Sequence, residues 1–186
     1  VPRIISGTAG GIKITTLEGR NTRPTTDRAK EALFSMLGDI FWDIDVLDLF
    51  AGSGSLGLEA LSRGAASTVF VDQNARCVSI IRKNAIKCSF WDKSRTIKAY
   101  AGKAIRILSE EGHRFGCIFM DPPYDKGLVS SSIEKIVSGD IIGNEGILVV
   151  EHSNKEKPDA ERYGFAELKS RNYGTVNFSI YRYKKG

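Results

Sequence analysis

Three glycines, at positions 52, 54 and 57, follow the apolar run Val46, Leu47, Leu49 and Phe50 and precede a stretch with helical spacing. Glycine at such positions permits a tight turn and lets the backbone come close to a ligand. The helix behind the turn offers its first N–H groups to a ligand oxygen. A strand, a glycine loop and a helix in that order mark the first unit of a parallel α/β sheet. The rest of the chain agrees. Apolar strands are expected at 45–50, 68–72, 95–100, 116–121 and 146–151, with helices at 55–63, 74–87, 102–110 and 128–138. Val-, Ile- and Leu-rich strands alternating with helices imply a parallel sheet covered on both faces.

The two ends read differently. Val176, Phe178 and Ile180 alternate with Thr175, Asn177 and Ser179, a period of two. With residues 165–171 before them and a turn at Asn172, Tyr173 and Gly174, they form an antiparallel hairpin that closes the sheet. Residues 1–37 form an N-terminal extension, and 38–186 the main domain. In the extension, residues 3–6 and 11–16 read as a short β-hairpin. Thr25 or Thr26 caps a helix at 27–37 whose apolar face is Ala29, Ala32, Leu33, Met36 and Leu37. That face is expected to pack on the main domain.

Asp72 lies 20 residues after Gly52, at the end of the next strand. An acid there can accept hydrogen bonds from ribose hydroxyls, as in a dinucleotide site. Asp48, just before the loop, separates the options. A carboxylate there repels a pyrophosphate but favours the ammonium of S-adenosylmethionine, which carries no phosphate.

Asp121, Pro122, Pro123 and Tyr124 follow the apolar run 117–120. They stand at the carboxyl end of a buried strand, where open α/β sheets bind ligands. Two prolines fix φ and remove two backbone donors, which leaves nearby carbonyls rigid. An exocyclic base amine is a poor nucleophile because its lone pair is delocalised into the ring. Acceptors on both of its N–H groups favour a more tetrahedral nitrogen, and an Asp side chain and a proline carbonyl supply that pair. Tyr124 can stack on the base and align it. A paired base cannot enter such a pocket, so the target is unpaired or flipped.

Charge bears on the partner. The 186 residues carry 27 Lys and Arg against 22 Asp and Glu, a net charge of +5. This fits a polyanion, and equally a soluble enzyme that happens to be basic. Cys77, Cys88 and Cys117 are odd in number and form no CxxC pair. Neither a disulfide framework nor a zinc site is expected, and a reducing cytoplasm fits. His113 and His152 read as structural or surface residues, so no metal is expected. No apolar run approaches the length of a membrane span, and no signal peptide is expected.

These motifs together resemble the nucleotide-amine methyltransferases, which join a glycine-loop unit to [Asn/Asp]-Pro-Pro-[Tyr/Phe/Trp]. Within them, residues 23–34 (Arg-Pro-Thr-Thr-Asp-Arg-Ala-Lys-Glu-Ala-Leu-Phe) and residues 3–7 (Arg-Ile-Ile-Ser-Gly) closely resemble signatures of the RsmD family. These are bacterial guanine-N2 methyltransferases of small-subunit (16S) ribosomal RNA. The resemblance runs over nearly the whole chain. It implies a Rossmann-like class I methyltransferase fold with a seven-stranded, mostly parallel sheet in the order 3-2-1-4-5-7-6, strand 7 antiparallel. It implies S-adenosylmethionine as methyl donor. The partner it implies is small-subunit ribosomal RNA within an assembling 30S particle. A cytoplasmic monomer is expected beside it. Asp121, Pro122, Pro123 and Tyr124 would hold the target base. Asp48, Phe50, Ala51, Gly52, Gly54, Asp72 and Gln73 would hold the cofactor, together with Arg23.

One departure from the family concerns adenine. Relatives often place Asp or Asn near the end of the third strand, where this chain has Lys103 and Ala104. A protonated lysine accepts no hydrogen bond, so adenine recognition would fall to backbone groups around these two residues. Arg23 and Arg28 suit the methionine carboxylate or an RNA phosphate. Arg28 reads equally as a solvated helix charge. Lys13, Arg20, Lys169 and Arg171 are candidate phosphate contacts, each also readable as surface charge. The rival readings are an adenine-N6 methyltransferase of RNA or DNA, a non-catalytic RNA-binding relative, and a nucleotide-dependent oxidoreductase.

Overall fold

Thr26 Oγ1 accepts the N–H of Ala29 at 3.1 Å and starts the first helix, α1 (Asp27–Leu37). The computed structural model describes residues 2–18, 26–124 and 127–186. The buried side of α1 is Ala29, Lys30, Leu33, Phe34 and Leu37. It is therefore rotated from the face expected above, with Phe34 and Lys30 inside and Ala32 and Met36 half-buried. A lysine can take a core position here because it is paired. Lys30 Nζ donates to Arg3 O at 2.6 Å and to Ser55 Oγ at 3.0 Å, and lies 3.4 Å from Glu59 Oε1. Burial pulls the Lys30 ammonium below its ordinary value, and Glu59 opposes that pull.

The chain forms two compact units, one ending at Ala99 and one beginning at Tyr100. The first contains α1, β1 (Asp45–Asp48), α2 (Ser55–Ser62), β2 (Ser67–Asp72), α3 (Ala75–Lys87), a 3-10 turn (Trp91–Lys93) and β3 (Ser94–Lys98). β1 and β3 both pair parallel with β2. Val46, Leu47, Phe70 and Val71 are buried, as strands covered on both faces require. The third strand ends earlier than expected. Tyr100 is not its last residue but stands before the next helix.

The N-terminal segment lies along α2. The Glu59 carboxylate accepts the N–H groups of Ile5 at 2.7 Å and Ser6 at 3.1 Å. Ser62 Oγ accepts the N–H of Ala9 and donates to Ser6 O. The expected short hairpin reduces to one antiparallel bridge, Arg3 with Lys13. The N–H groups of Ile5, Ser6, Thr8 and Ala9 turn to α2 instead, while Gly11 N–H donates back to Ile4 O at 2.8 Å.

The second unit contains α4 (Ala101–Glu110), β4 (Phe115–Met120), α5 (Leu128–Ser138), β5 (Ile142–His152), a 3-10 turn (Glu161–Tyr163), β6 (Phe165–Tyr173) and β7 (Val176–Tyr183). β4 pairs parallel with β5. β7 runs antiparallel between β5 and β6. The expected hairpin is present, but strand pairing continues through Tyr173 and the turn falls at Gly174 and Thr175. Across the chain the strand order is β3-β2-β1-β4-β5-β7-β6, the Rossmann-like order of the class I methyltransferases. His152 is buried, with Nε2 2.8 Å from Ser179 Oγ, and so is a packing residue. Among the described residues no helix is long and apolar enough to cross a membrane.

Candidate active site

The glycine loop joins β1 to α2. Ala51 N–H donates to Val71 O at 2.8 Å, and Gly54 N–H donates to Ala51 O at 2.8 Å, closing a tight turn. Gly52 has φ +57°, in the left-handed region, yet a Cβ there would meet nothing within 4 Å. The demand at 52 is thus conformational, and the space above it is open. Gly57 is needed for the opposite reason. A Cβ there would stand 2.4 Å from Phe70 Cε1 and 2.9 Å from Thr68 Cγ2, so only glycine lets α2 lie this close to β2.

Two carboxylates hold the loop. Asp72, at the end of β2, accepts Gly52 N–H through Oδ2 and Asn74 N–H through Oδ1, both at 2.9 Å. Burial, followed by the charge of Asp72 and a hydrogen bond to it, pushes the Cys77 thiol up to about 11. A carboxylate has about four acceptor positions, which leaves room for a ribose hydroxyl.

Asp48 is buried, and its Oδ2 accepts Gly57 N–H at 3.0 Å. It does the capping that Gly54, which precedes the helix without a side chain, cannot do. Burial raises the Asp48 carboxyl to about 7, Gly57 N–H opposes this, and the Asp72 charge adds to it. A buried acid in that range favours a cation arriving beside it.

Asn84 on α3 is a part of this site that the sequence reading missed. Its Oδ1 accepts Thr15 N–H at 2.9 Å, and its Nδ2 donates to Thr15 O at 2.9 Å and to Ser53 O at 3.0 Å. The N-terminal segment is thereby tied to the glycine loop. A polar residue inside an apolar helix face was the available signal. Of the other expected cofactor residues, Ala51 is buried, Phe50 half-buried and Gln73 exposed. Arg23 lies outside the described residues, as does Arg20. Arg28, Lys13, Lys169 and Arg171 are exposed.

In the second unit, β4 delivers Asp121, Pro122, Pro123 and Tyr124 at its carboxyl end. Asp121 is half-buried, Pro122 buried and Pro123 exposed. Tyr124 is 39% exposed, and its hydroxyl donates to Glu151 Oε1 at 3.2 Å. Glu151, buried on β5, is a second residue that the sequence reading missed. It had the appearance of a strand end and nothing more.

Lys103 and Ala104 fall in the first turn and the start of the second turn of α4. Ala104 N–H donates to Tyr100 O at 3.0 Å. Among the backbone groups around these two residues, the N–H of Lys103 belongs to the four that helix geometry leaves without an intrahelical acceptor, and that of Ala104 does not.

The chain is similar to known proteins over most of its length. The family described as Conserved hypothetical protein 95 matches residues 2–182. YlbH of Bacillus subtilis is 32% identical over 184 residues, covering 99% of this chain and all of that protein. Ribosomal RNA small subunit methyltransferase D of Escherichia coli K12 is 34% identical over 80% of this chain and 73% of its own length. The solved Escherichia coli protein yhhF superposes with a TM-score of 0.85 at 29% identity, over all of this chain and 99% of its own.

Proposed function

Because the chain belongs to the Conserved hypothetical protein 95 family, the family of ribosomal RNA small subunit methyltransferase D, we propose that it methylates the exocyclic N2 amine of a guanine in small-subunit ribosomal RNA. The methyl donor is S-adenosylmethionine. The observation that carries the reading is the pairing, in one chain, of a glycine loop held by Asp72 with a rigid Asp121-Pro-Pro-Tyr segment at the end of β4.

The first unit fits the donor. The space over Gly52 is open, Asp72 has acceptor capacity for ribose, and the buried Asp48 suits an ammonium and disfavours a pyrophosphate. Phe50, Ala51, Gln73, Lys103 and Arg23 complete the proposed cofactor contacts. S-adenosylmethionine, when bound, supplies an electrophilic sulfonium methyl group.

The chain's own residues prepare the amine. The Asp121 carboxylate and the Pro122 carbonyl accept its two N–H groups, which localises the lone pair on nitrogen. Pro123 keeps the turn stiff. The Tyr124 ring stacks on the base and is held by Glu151 through its hydroxyl. After transfer the nitrogen loses one proton, to Asp121 or to water. Positioning and electrostatics supply the rate, and no residue forms a covalent intermediate. The proposed substrate is an assembling 30S particle in the cytoplasm, and the proposed working form is a monomer.

The test is labelled-methyl transfer to undermethylated small subunits, free ribosomal RNA and DNA in parallel, followed by nucleoside digestion. N2-methylguanosine in the small-subunit RNA is the expected product. N6-methyladenosine would move the chain to the adenine enzymes, and retention of RNA without transfer would make it a binding relative.

A further inference from the structure

A groove of about 410 Å³ lies on the first unit, between α3 and the segment leading through the Trp91 turn into β3. Ser79, Arg82, Lys83, Ile86, Trp91 and Lys98 line it. Trp91 is 56% exposed and Ile86 60%. Exposed indole and aliphatic surface is costly to leave in water without a partner.

The charge around the groove is not a share of a diffuse surface. Residues 74–98 hold seven Lys and Arg and one acid, Asp92, a net of +6. The whole chain carries +5, so all remaining residues together sum to −1. The chain's excess positive charge is therefore concentrated in α3, the Trp91 turn and β3. Arg82 is also braced, because its Nε donates to Thr96 Oγ1 at 3.0 Å. That fixes the guanidinium while its terminal nitrogens remain for a phosphate. Lys98 is the register partner of Asp72, so the groove begins at the strand end that carries the ribose acceptor.

We infer that this groove is a docking site for single-stranded RNA, with an unpaired base stacked on the Trp91 indole and the flanking phosphates on Arg82, Lys83 and Lys98. Flat aromatic surface set among cations is the arrangement that binds unpaired strands with little sequence preference. The choice of RNA rests on the proposed function.

The test uses the full chain carrying Trp42→Phe, which leaves Trp91 as the sole tryptophan. A short single-stranded RNA should quench its fluorescence. The variant Arg82→Gln/Lys83→Gln/Lys98→Gln should bind the RNA more weakly, with a log Kd against log salt slope shallower by roughly 2, at about 0.7 per phosphate contact on a single strand. Trp91→Ala should raise the RNA KM about tenfold or more while kcat and S-adenosylmethionine affinity hold. Absence of quenching, or an unchanged RNA KM in variants that melt like the parent, overturns the inference. A defect seen on assembled subunits but not on free RNA assigns the groove to a ribosomal protein and equally overturns it. If the parent methylates no RNA, the functional proposal fails, and quenching and the salt slope still decide the groove.

Discussion

Tyr124 reaches from the loop after β4 to Glu151 on β5, its hydroxyl 3.2 Å from the buried carboxylate. The ring is therefore oriented from its far end. Two variants separate ring from tether. Tyr124→Phe keeps the stacking face and loses one hydrogen bond to a charged group, worth about 1.5–3 kcal/mol. It should lower kcat/KM for RNA by roughly ten- to a hundredfold. Tyr124→Ala removes both and should cost more, with S-adenosylmethionine affinity unchanged. Equal kinetics for the parent and Tyr124→Ala in single-turnover assays would remove Tyr124 from the site.

Asp121 is proposed to act on the nucleophile rather than on the cofactor. Asp121→Ala should lower the single-turnover rate by about 10²- to 10⁴-fold, the scale of a positioned acceptor or base. Cofactor affinity by calorimetry should stay within about twofold. Asp121→Asn keeps one acceptor without the charge and should fall between the two. Transfer by Asp121→Ala at close to the parent rate would end this assignment.

Asp48 predicts a pH dependence of defined sign. Its folded value, about 7, lies above the ordinary 3.8, chiefly through burial. The folded chain keeps a proton that the unfolded chain releases. The contribution of Asp48 to stability is thus complete below pH 4, shrinks as pH rises to about 7, and is constant above. The full change is roughly 4 kcal/mol at 1.36 kcal/mol per pKa unit. The difference in Tm between the parent and Asp48→Asn, followed from pH 4 to 8, should show this fall. If an ammonium binds beside Asp48, cofactor binding near pH 6 should release close to one proton, seen as a buffer-dependent heat that Asp48→Asn abolishes. A carboxylate that only caps α2 would show the stability effect and no proton release.

The sheet was legible because its signals are local. Val46 and Leu47, or Ile118 and Phe119, form short apolar runs that fit a strand buried on both faces, and glycines 52 and 57 mark the turn between strand and helix. The end of β3 was misplaced because Ala99 and Tyr100, read by residue type alone, suit the end of a strand as well as the start of a helix. Only the structure shows Tyr100 preceding α4 with its carbonyl accepting Ala104 N–H. The face of α1 was rotated because Lys30 counts as polar in any periodicity, and its partner Glu59 is 29 residues away. The roles of Asn84, which stands out as a polar residue in an apolar helix face, and of Glu151 were hidden for the same reason. Their partners, Thr15, Ser53 and Tyr124, are set by tertiary contacts between distant segments. Asp48 was chosen for its charge toward a ligand, while its capping of α2 depends on how close Gly57 lies, which spacing alone does not give.

The tie through Asn84 is directional, so its variants should rank in a fixed order. Oδ1 faces a donor, Thr15 N–H, and Nδ2 faces two acceptors, the carbonyls of Thr15 and Ser53. The reversed amide would set oxygen against two carbonyls, so the neighbours fix its orientation. Asn84→Ala leaves three backbone groups without this partner and should cost about 2–4 kcal/mol at roughly 1 kcal/mol per hydrogen bond. Asn84→Asp keeps the acceptor but turns a negative oxygen toward two carbonyls in a buried place, so it should be less stable still at pH 8 and recover in part at pH 5, where the acid can protonate. Both should weaken S-adenosylmethionine binding, because Ser53 belongs to the loop that Gly52 and Gly54 form. Thermal melts at the two pH values with cofactor titrations check this. A variant Asn84→Asp as stable as Asn84→Ala at pH 8 would mean that water reaches the site, and cofactor affinity unchanged in both would mean that the loop holds its shape without the N-terminal segment.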